Sequence, residues 1–443
     1  MVMNMGIDQF QTAVFYELDV QTFCDGDGDG QGDFTGLTSK LDYICSLGID
    51  VLLLLSWDSA GFDRFVEAAH QNRLKVVVTE RIQSADLERP ASLLARISGC
   101  FEQGTDGIRL DLQTHQIDAS AVSSTLQRIR KSIDAQYPDR ILLVDIDVPL
   151  NRYTSYVGQG QGGHLCFNFP LMTRLYVALK QENVMPIRDL LDEMPDMPAG
   201  SQWLTFLRNH HDLSLDTLTD VESAWLREQY GPEPEMNSAR GIRRRLSPLL
   251  EGHKGKWLIL NGILCSLIGT PAIYYGDEIG MGDNIALENP GRTPMQWDDR
   301  LNGGFTTAAQ LARPVNDDFS YGYTLVNVET QEGQPASYLE ATRFLLKVRK
   351  AHPELQLGSL ELLDMASRAV LGYWRKSGDE WTLCLYNFSS EVQSVSLYFE
   401  ELRGQGKLID LFHEGRTWSL NDMVPPVLKM RPFASHWIYV KRA

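Results

Sequence analysis

Positive charge is in short supply in this chain: Lys and Arg total 41 against 58 Asp and Glu, a formal net charge of −17. So acidic a chain repels phosphate backbones and anionic headgroups, which argues against nucleic acid and membrane surfaces as partners and leaves neutral ligands. Long apolar runs are missing too, since stretches such as GIDVLLLLSW are far too short to cross a bilayer. The opening MVMNMGIDQFQ has neither the basic start nor the apolar centre of a secretory signal. Cysteine is sparse and scattered: Cys24, Cys45, Cys100, Cys166, Cys265 and Cys384 form no Cys-x-x-Cys pair, and four lie in apolar stretches. Buried thiols in a reducing compartment are the expectation, and with them a cytoplasmic location. No GxGxxG follows the first apolar run, which argues against a dinucleotide-binding half. Nothing in the composition bears on self-association, so a homo-oligomer stays open.

What is present is the texture of a globular protein, 43% hydrophobic and 22% charged. Eight short β-branched runs recur at 13–23, 49–57, 74–80, 106–112, 140–148, 164–169, 202–209 and 271–278. They are apolar almost throughout, as strands buried on both faces of a parallel sheet are. Amphipathic stretches such as FDRFVEAAHQN and AVSSTLQRIRKSI separate them. Eight strand–helix alternations predict an α/β fold of the (β/α)8 barrel type, closed by the helix YLEATRFLLKVRKAH. From about 357 the pattern changes to alternating strands with a turn every ten or so residues, AVLGYWRK, EWTLCLYNF, QSVSLYF, GKLIDLF and SHWIYV. This predicts a C-terminal antiparallel β-sandwich. The division expected is therefore a barrel over 1–355 and the sandwich over 356–443.

Barrels of this kind work where strands end. Polar residues gather at four such ends: Arg109 and Asp111; Asp145 and Asp147; Asn209, His210, His211 and Asp212; Asp277 and Glu278. Carboxylates from different strands around one mouth are what cleavage of a glycosidic bond requires, one as nucleophile and one as acid/base. Read one at a time, each is as readily an ordinary rim residue.

At this point longer motifs become recognisable. DGDGDGQGDFTGLTSKLDYICSLGID, DGIRLDL, FLRNHHDL, GTPAIYYGDEIGMGDN and GRTPMQW resemble glycoside hydrolase family 13, the α-amylase family. Within it, NFPLMTRLYVALKQE and GIRRRLSPLLE are similar to the trehalose synthases, which isomerise maltose and trehalose. The resemblance implies a catalytic-type barrel, a C-terminal β-sandwich and an α-linked glucose disaccharide or oligosaccharide as ligand. It makes Asp111 the nucleophile and Arg109 the residue that orients it. Asn209, His210 and Arg292 become substrate-binding residues.

The departures from the family pattern carry more weight. The acid/base glutamate falls on Asp145, a side chain shorter by about 1.5 Å. A misplacement of about 1 Å can cost on the order of a hundredfold in rate. The aspartate that steadies the oxocarbenium-like transition state falls on His211, and an imidazole supplies no negative charge. Asp212 next to it would point to the opposite face of a strand. The Asn-His expected at the end of the third strand reads Arg81-Ile82, and RIQSADLERP leaves no room for the inserted B domain that walls the pocket. After the second strand, Trp57 runs through Asp58, Ser59 and Ala60 into a helix without the family's Tyr-Asp. A member with lost or strongly reduced activity is favoured over a working retaining enzyme that uses Asp111 and Asp145.

A separate signal is the loop holding Asp25, Asp27, Asp29, the carbonyl of Gln31, and Asp33 among glycines. Closely spaced oxygens suit a hard cation, and glycine permits the tight wrap. The twelfth position is Gly36 rather than the glutamate of an EF-hand. The family resemblance assigns a structural Ca2+ here. Arg240, Arg243, Arg244 and Arg245 read as one solvated helix face, and His70, His115, His164 and His253 have no partners at metal-ligand spacing.

Overall fold

A computed structural model of the protein describes residues 5–57, 60–82, 86, 89–112, 119–157, 160–402, 406–413, 415–420 and 426–442. His115, Asp58 and Ser59 lie outside the described residues. The first half of the chain supplies β1 (Phe15–Leu18), β2 (Val51–Leu54), β3 (Lys75–Ile82), β4 (Gly107–Leu112), β5 (Ile141–Asp145), β6 (Leu165–Phe167) and β7 (Gln202–Thr205). A two-residue ladder of β8 (Leu213–Ser214) and β9 (Gly241–Ile242) then precedes β10 (Thr270–Tyr274). Eight of these close a parallel barrel in the order β1-β10-β7-β6-β5-β4-β3-β2. Every residue of β1, β2, β5 and β10 is buried, which is why their sequences show no alternation. The intervening helices do show one face: in Phe62–Gln71 the buried residues are Phe62, Phe65, Val66 and Ala69, at helical spacing.

The carboxyl-terminal strands are β11 (Ser359–Leu362), β12 (Val370–Ser377), β13 (Glu380–Asn387), β14 (Gln393–Ser396), β15 (Gly406–Asp410), β16 (Thr417–Ser419), β17 (Val427–Met430) and β18 (Ser435–Arg442). They form an antiparallel sheet ordered β11-β12-β13-β18-β15-β16 and a second ladder, β14-β17. Side chains from both meet in one apolar core that includes Trp374, Leu383, Val395, Leu408, Leu428 and Ile438. Fully burying a side chain of this size contributes about 1.5–3 kcal/mol.

By its contacts the chain forms two compact units. One comprises 1–173, 195–249 and 270–343, the other 174–194, 250–269 and 344–443. The second unit thus draws two segments from the middle of the sequence, which a division at one residue does not anticipate. Among the described residues no helix is long and apolar enough to cross a membrane, and the six cysteines form no disulfide.

Two expectations are corrected. The run at 202–209 ends as strand at Thr205, so Asn209, His210 and His211 lie in a turn rather than on a strand. The four arginines at 240–245 share no helix, because β9 runs through them and the chain is irregular from 243 to 245. Arg240 bridges Asp147 and Asp216, Arg244 holds Asp283, and Arg245 is fully buried against the carbonyls of Gly291 and Tyr275.

Candidate functional site

Parallel register decides which side chains meet at the barrel mouth. It sets Arg81 of β3 beside Asp111 of β4, and Asp111 beside Asp145 of β5. Arg109 lies two residues before Asp111 and faces the same way. Its guanidinium is fully buried, and its hydrogen bonds run away from Asp111. Nε donates to Asp145 Oδ2 at 3.0 Å, Nη2 donates to the same oxygen, and Nη1 donates to Glu17 Oε1 at 2.6 Å. Burial works against the charge on Arg109, but Asp145 and Glu17 outweigh it and hold the guanidinium protonated. His210 completes this layer, its Nδ1 lying 3.0 Å from Glu17 Oε1. Burial and the nearby arginines, Arg109 first, push its pKa well below the ordinary imidazole value.

Asp111 stands nearer to solvent, with Arg81 Nε 3.7 Å from its Oδ2. Burial and then the charge of Asp145 raise its pKa above the usual carboxylate value. Asp147, just beyond β5, accepts from Ser214 Oγ and from Arg240 Nη2 at 2.9 Å. Burial dominates there and pushes its carboxyl up to about 7.

The turn after β7 is built by Asn209. Its Oδ1 accepts from the backbone N–H groups of His211, at 2.7 Å, and Asp212, at 2.9 Å. The backbone N–H of Asn209 donates to the Asp212 carbonyl, closing the loop on itself. Asn209 thereby shapes the site through the chain rather than through a free amide oxygen. His211 is carried out to the exposed edge, where its Nε2 lies 3.4 Å from Arg292 Nη2. Partial desolvation, His210 and Arg292 all lower its pKa, so the ring is neutral at ordinary pH. Asp212 turns the other way and accepts from Ser238 Oγ at 2.6 Å. Arg292 also reaches Asp19 Oδ2 at 3.4 Å, and Ser56 Oγ donates to the other oxygen of Asp19.

The structure therefore draws Asp111, Asp145, Arg109 and His210 into one constellation, with Arg292 and His211 paired beside it. The sequence reading missed Glu17 and Asp19, which terminate β1 in FYELD, and missed Arg240 as the cation of Asp147. A polar residue ending an apolar strand was the available signal for the first two.

The acidic loop is a distinct feature. Oxygens of Asp25, Asp27 and Asp29 lie within 4.8 Å of one another. Asp25 Oδ1 accepts from Gly28 N at 2.7 Å, and its Oδ2 accepts from Gly30 N at 2.8 Å and from Thr306 Oγ1. Asp33 caps the following helix, accepting from Gly36 N at 2.6 Å. Glycine is required at 30: φ is +94°, and a Cβ would sit 2.1 Å from the Gln310 carbonyl oxygen. After β3 the chain reaches the helix Pro90–Glu102 within a few residues. Of the remaining histidines, His70 pairs with Asp106 at 2.7 Å and His164 Nδ1 accepts from Leu142 N, both structural uses.

Comparison with known proteins agrees with this architecture. The family description "Alpha amylase, catalytic domain" matches residues 245–358. A trehalose synthase from Pimelobacter sp. is 30% identical, covering 89% of this chain and 90% of that protein. A trehalose synthase/amylase from Mycolicibacterium smegmatis is 31% identical, over 89% of this chain and 86% of its own length. The first of these alignments spans 514 positions, so the relative carries well over a hundred that have no counterpart in this 443-residue chain. Among solved structures, an inactive double mutant of MutB in complex with isomaltulose superposes with a TM-score of 0.70 at 19% identity, covering 98% of this chain and 99% of that one. That likeness shows the fold.

Proposed function

Because the chain belongs to the α-amylase family, glycoside hydrolase family 13, as a trehalose-synthase-like member, we propose that it binds α-linked glucosides at the barrel mouth with glycosidase and glucosyl-isomerase turnover lost or strongly reduced. The observation that carries this reading is the destination of Arg109. A retaining mechanism needs one carboxylate oriented as nucleophile and a second group that arrives protonated, as acid. Here the buried guanidinium engages Asp145 and Glu17 instead of Asp111, and Asp145 Oδ2 accepts two N–H groups from it. An oxygen so engaged is poorly placed to give a proton to a leaving group. The third charge is missing as well, since neutral His211 stands where the resemblance expects a carboxylate. Asp111, Arg292 and His211 remain at the mouth to hydrogen-bond sugar hydroxyls.

The short connection from β3 to the next helix supports an open mouth that admits water. A glucosyl isomerase must exclude water between bond breaking and re-forming, so isomerisation is the activity that suffers most. The test is calorimetric titration with maltose and trehalose beside a turnover assay on an activated aryl α-glucoside. Disaccharide binding with negligible turnover is expected. Turnover that Asp111→Asn abolishes would refute the loss of activity, and no binding to any α-glucan would refute the sugar site.

We also propose a structural Ca2+ in the 25–33 loop. Three converging carboxylates and left-handed Gly28 and Gly30 support it, with Asp25, Asp27 and Asp29 as the side chains that would hold the ion. Bound there, it would tie the loop together and offset the mutual repulsion of its acids. Removal of Ca2+ by chelator is expected to lower the melting temperature, and an unmoved melt counts against the site.

A further inference from the structure

A second group of ligand-type side chains lies in the carboxyl-terminal unit. Asp410 ends β15, His413 follows three residues later in the turn toward β16, and His436 is the second residue of β18. The pairing of β15 with β18 brings them together, and Leu411 N donates to the Trp437 carbonyl at 2.8 Å beside them. His413 Nδ1 lies 3.0 Å from Asp410 Oδ2, and His436 Nδ1 lies 2.8 Å from the same oxygen. The two rings stack with centroids 5.1 Å apart. Asp410 and His436 are buried while the His413 side chain is 54% exposed. Phe412 N donates to the other oxygen of Asp410 at 3.1 Å, which fixes the carboxylate.

Two imidazole nitrogens and a carboxylate oxygen converging on one point form a donor set suited to zinc and similar first-row ions. A carboxylate oxygen only accepts, so in the metal-free protein each Nδ1 carries a hydrogen toward it. One dication can take the place of both shared hydrogens: each neutral ring gives its Nδ1 proton to solvent and takes one up on Nε2, so each keeps a single proton and none is released on balance. Tetrahedral zinc at about 2.0–2.1 Å from its ligands spaces them by roughly 3.3 Å, so each nitrogen need move only a few tenths of an ångström farther from the shared oxygen, and all three atoms lie within 4.8 Å of one another. The exposed edge of His413 leaves the fourth position to water. Arg416 is the cation in the way, but its Nη1 is 4.0 Å from Asp410 Oδ2 and its guanidinium lies over the Trp418 ring. Its side chain is 38% exposed and can swing out.

We propose that Asp410, His413 and His436 form a site for Zn2+ or a similar transition-metal ion that clips the β15–β16 turn onto β18. The role is structural, because the three side chains join the end of β15 and the turn after it to the first residues of β18. No short-range spacing announces this group, since His413 and His436 are far apart and neither sits in a familiar ligand pattern.

The test uses the full-length protein, stripped with chelator and titrated with ZnCl2 in excess CaCl2, which occupies any hard-oxygen loop. Binding of one Zn2+ per chain is expected, with a rise in melting temperature. In His413→Gln, an exposed substitution that leaves the fold intact, affinity should fall on the order of 100-fold and the thermal shift should vanish. His436→Gln should do the same, with circular dichroism reporting its folding. Absence of Zn2+ binding overturns the proposal, and so does binding that His413→Gln leaves unchanged.

Discussion

Replacing Arg109 by methionine tests the reading of the barrel mouth where it is most exposed to refutation. The substitution keeps an unbranched stem of similar flexibility, shorter than arginine by about two atoms, and removes the charge. It strands Glu17 and Asp145, 4% and 8% exposed, without the cation that links them. Breaking a buried ion network from one side costs about 3–5 kcal/mol, because charge is left uncompensated in a poorly solvated place. Removing the carboxylates as well, in Arg109→Met/Glu17→Gln/Asp145→Asn, eliminates the stranded charge and should recover most of that loss. At about 2.1 cal/mol/K of unfolding entropy per residue, a chain this long shifts by only about 1 °C per kcal/mol, so thermal melts are a blunt readout. Urea unfolding at 25 °C resolves the difference, provided the slope of the transition stays constant across the three proteins. A single variant within about 1 kcal/mol of the native protein would refute the account, since Arg109 would then not be binding the two acids together. A combined variant as unstable as the single one would refute it too, by showing that packing and not charge was lost.

Three further outcomes follow from the structure. Glu278 is fully buried, accepts from Tyr16 and Tyr43 hydroxyls at 2.7 and 2.8 Å, and is raised by burial from 4.5 to about 7. A carboxyl raised on folding contributes stability that is complete below the unfolded value and lost as pH rises through about 7, so Glu278→Gln should match the native protein near pH 4.5 and exceed it by about 3 kcal/mol near pH 8 in urea titrations; a difference that does not change with pH would exclude this. Gly30→Ala should destabilise the acidic loop and weaken Ca2+ binding in a calorimetric titration, since its φ of +94° and the Gln310 carbonyl leave no room for a Cβ. Trp374→Ala, in the centre of the carboxyl-terminal core, should cost about 3–5 kcal/mol by urea unfolding, and a loss below 1 kcal/mol would mean that this core is not close-packed.

The barrel was legible because a strand buried on both faces must be apolar throughout, and eight such runs stand out from the amphipathic helices between them. Helix Phe62–Gln71 and the strands of the sandwich were legible for a different reason, the spacing of their apolar residues. The membership of the site was partly legible, through strand-terminal polar residues such as Asp111 and Asp145. Its wiring was not. Arg109 and Asp111 are two residues apart and look like partners, yet the guanidinium is taken by Glu17 and Asp145 from other strands.

Local pattern therefore determined the fold class, the two kinds of domain and the strand ends where chemistry could sit, because those depend on periodicity and on the burial each element needs. Tertiary structure alone decided which acid meets which arginine. That choice depends on barrel closure and strand register, which bring together residues as distant as Glu17 and His210, or Asp147 and Arg240, and no short-range feature of the sequence encodes it. The same holds for the turn at Asn209, where a side-chain hydrogen bond ends a run that reads as strand and turns His211 outward. It holds again for Asp410, His413 and His436, which meet only because β15 lies beside β18.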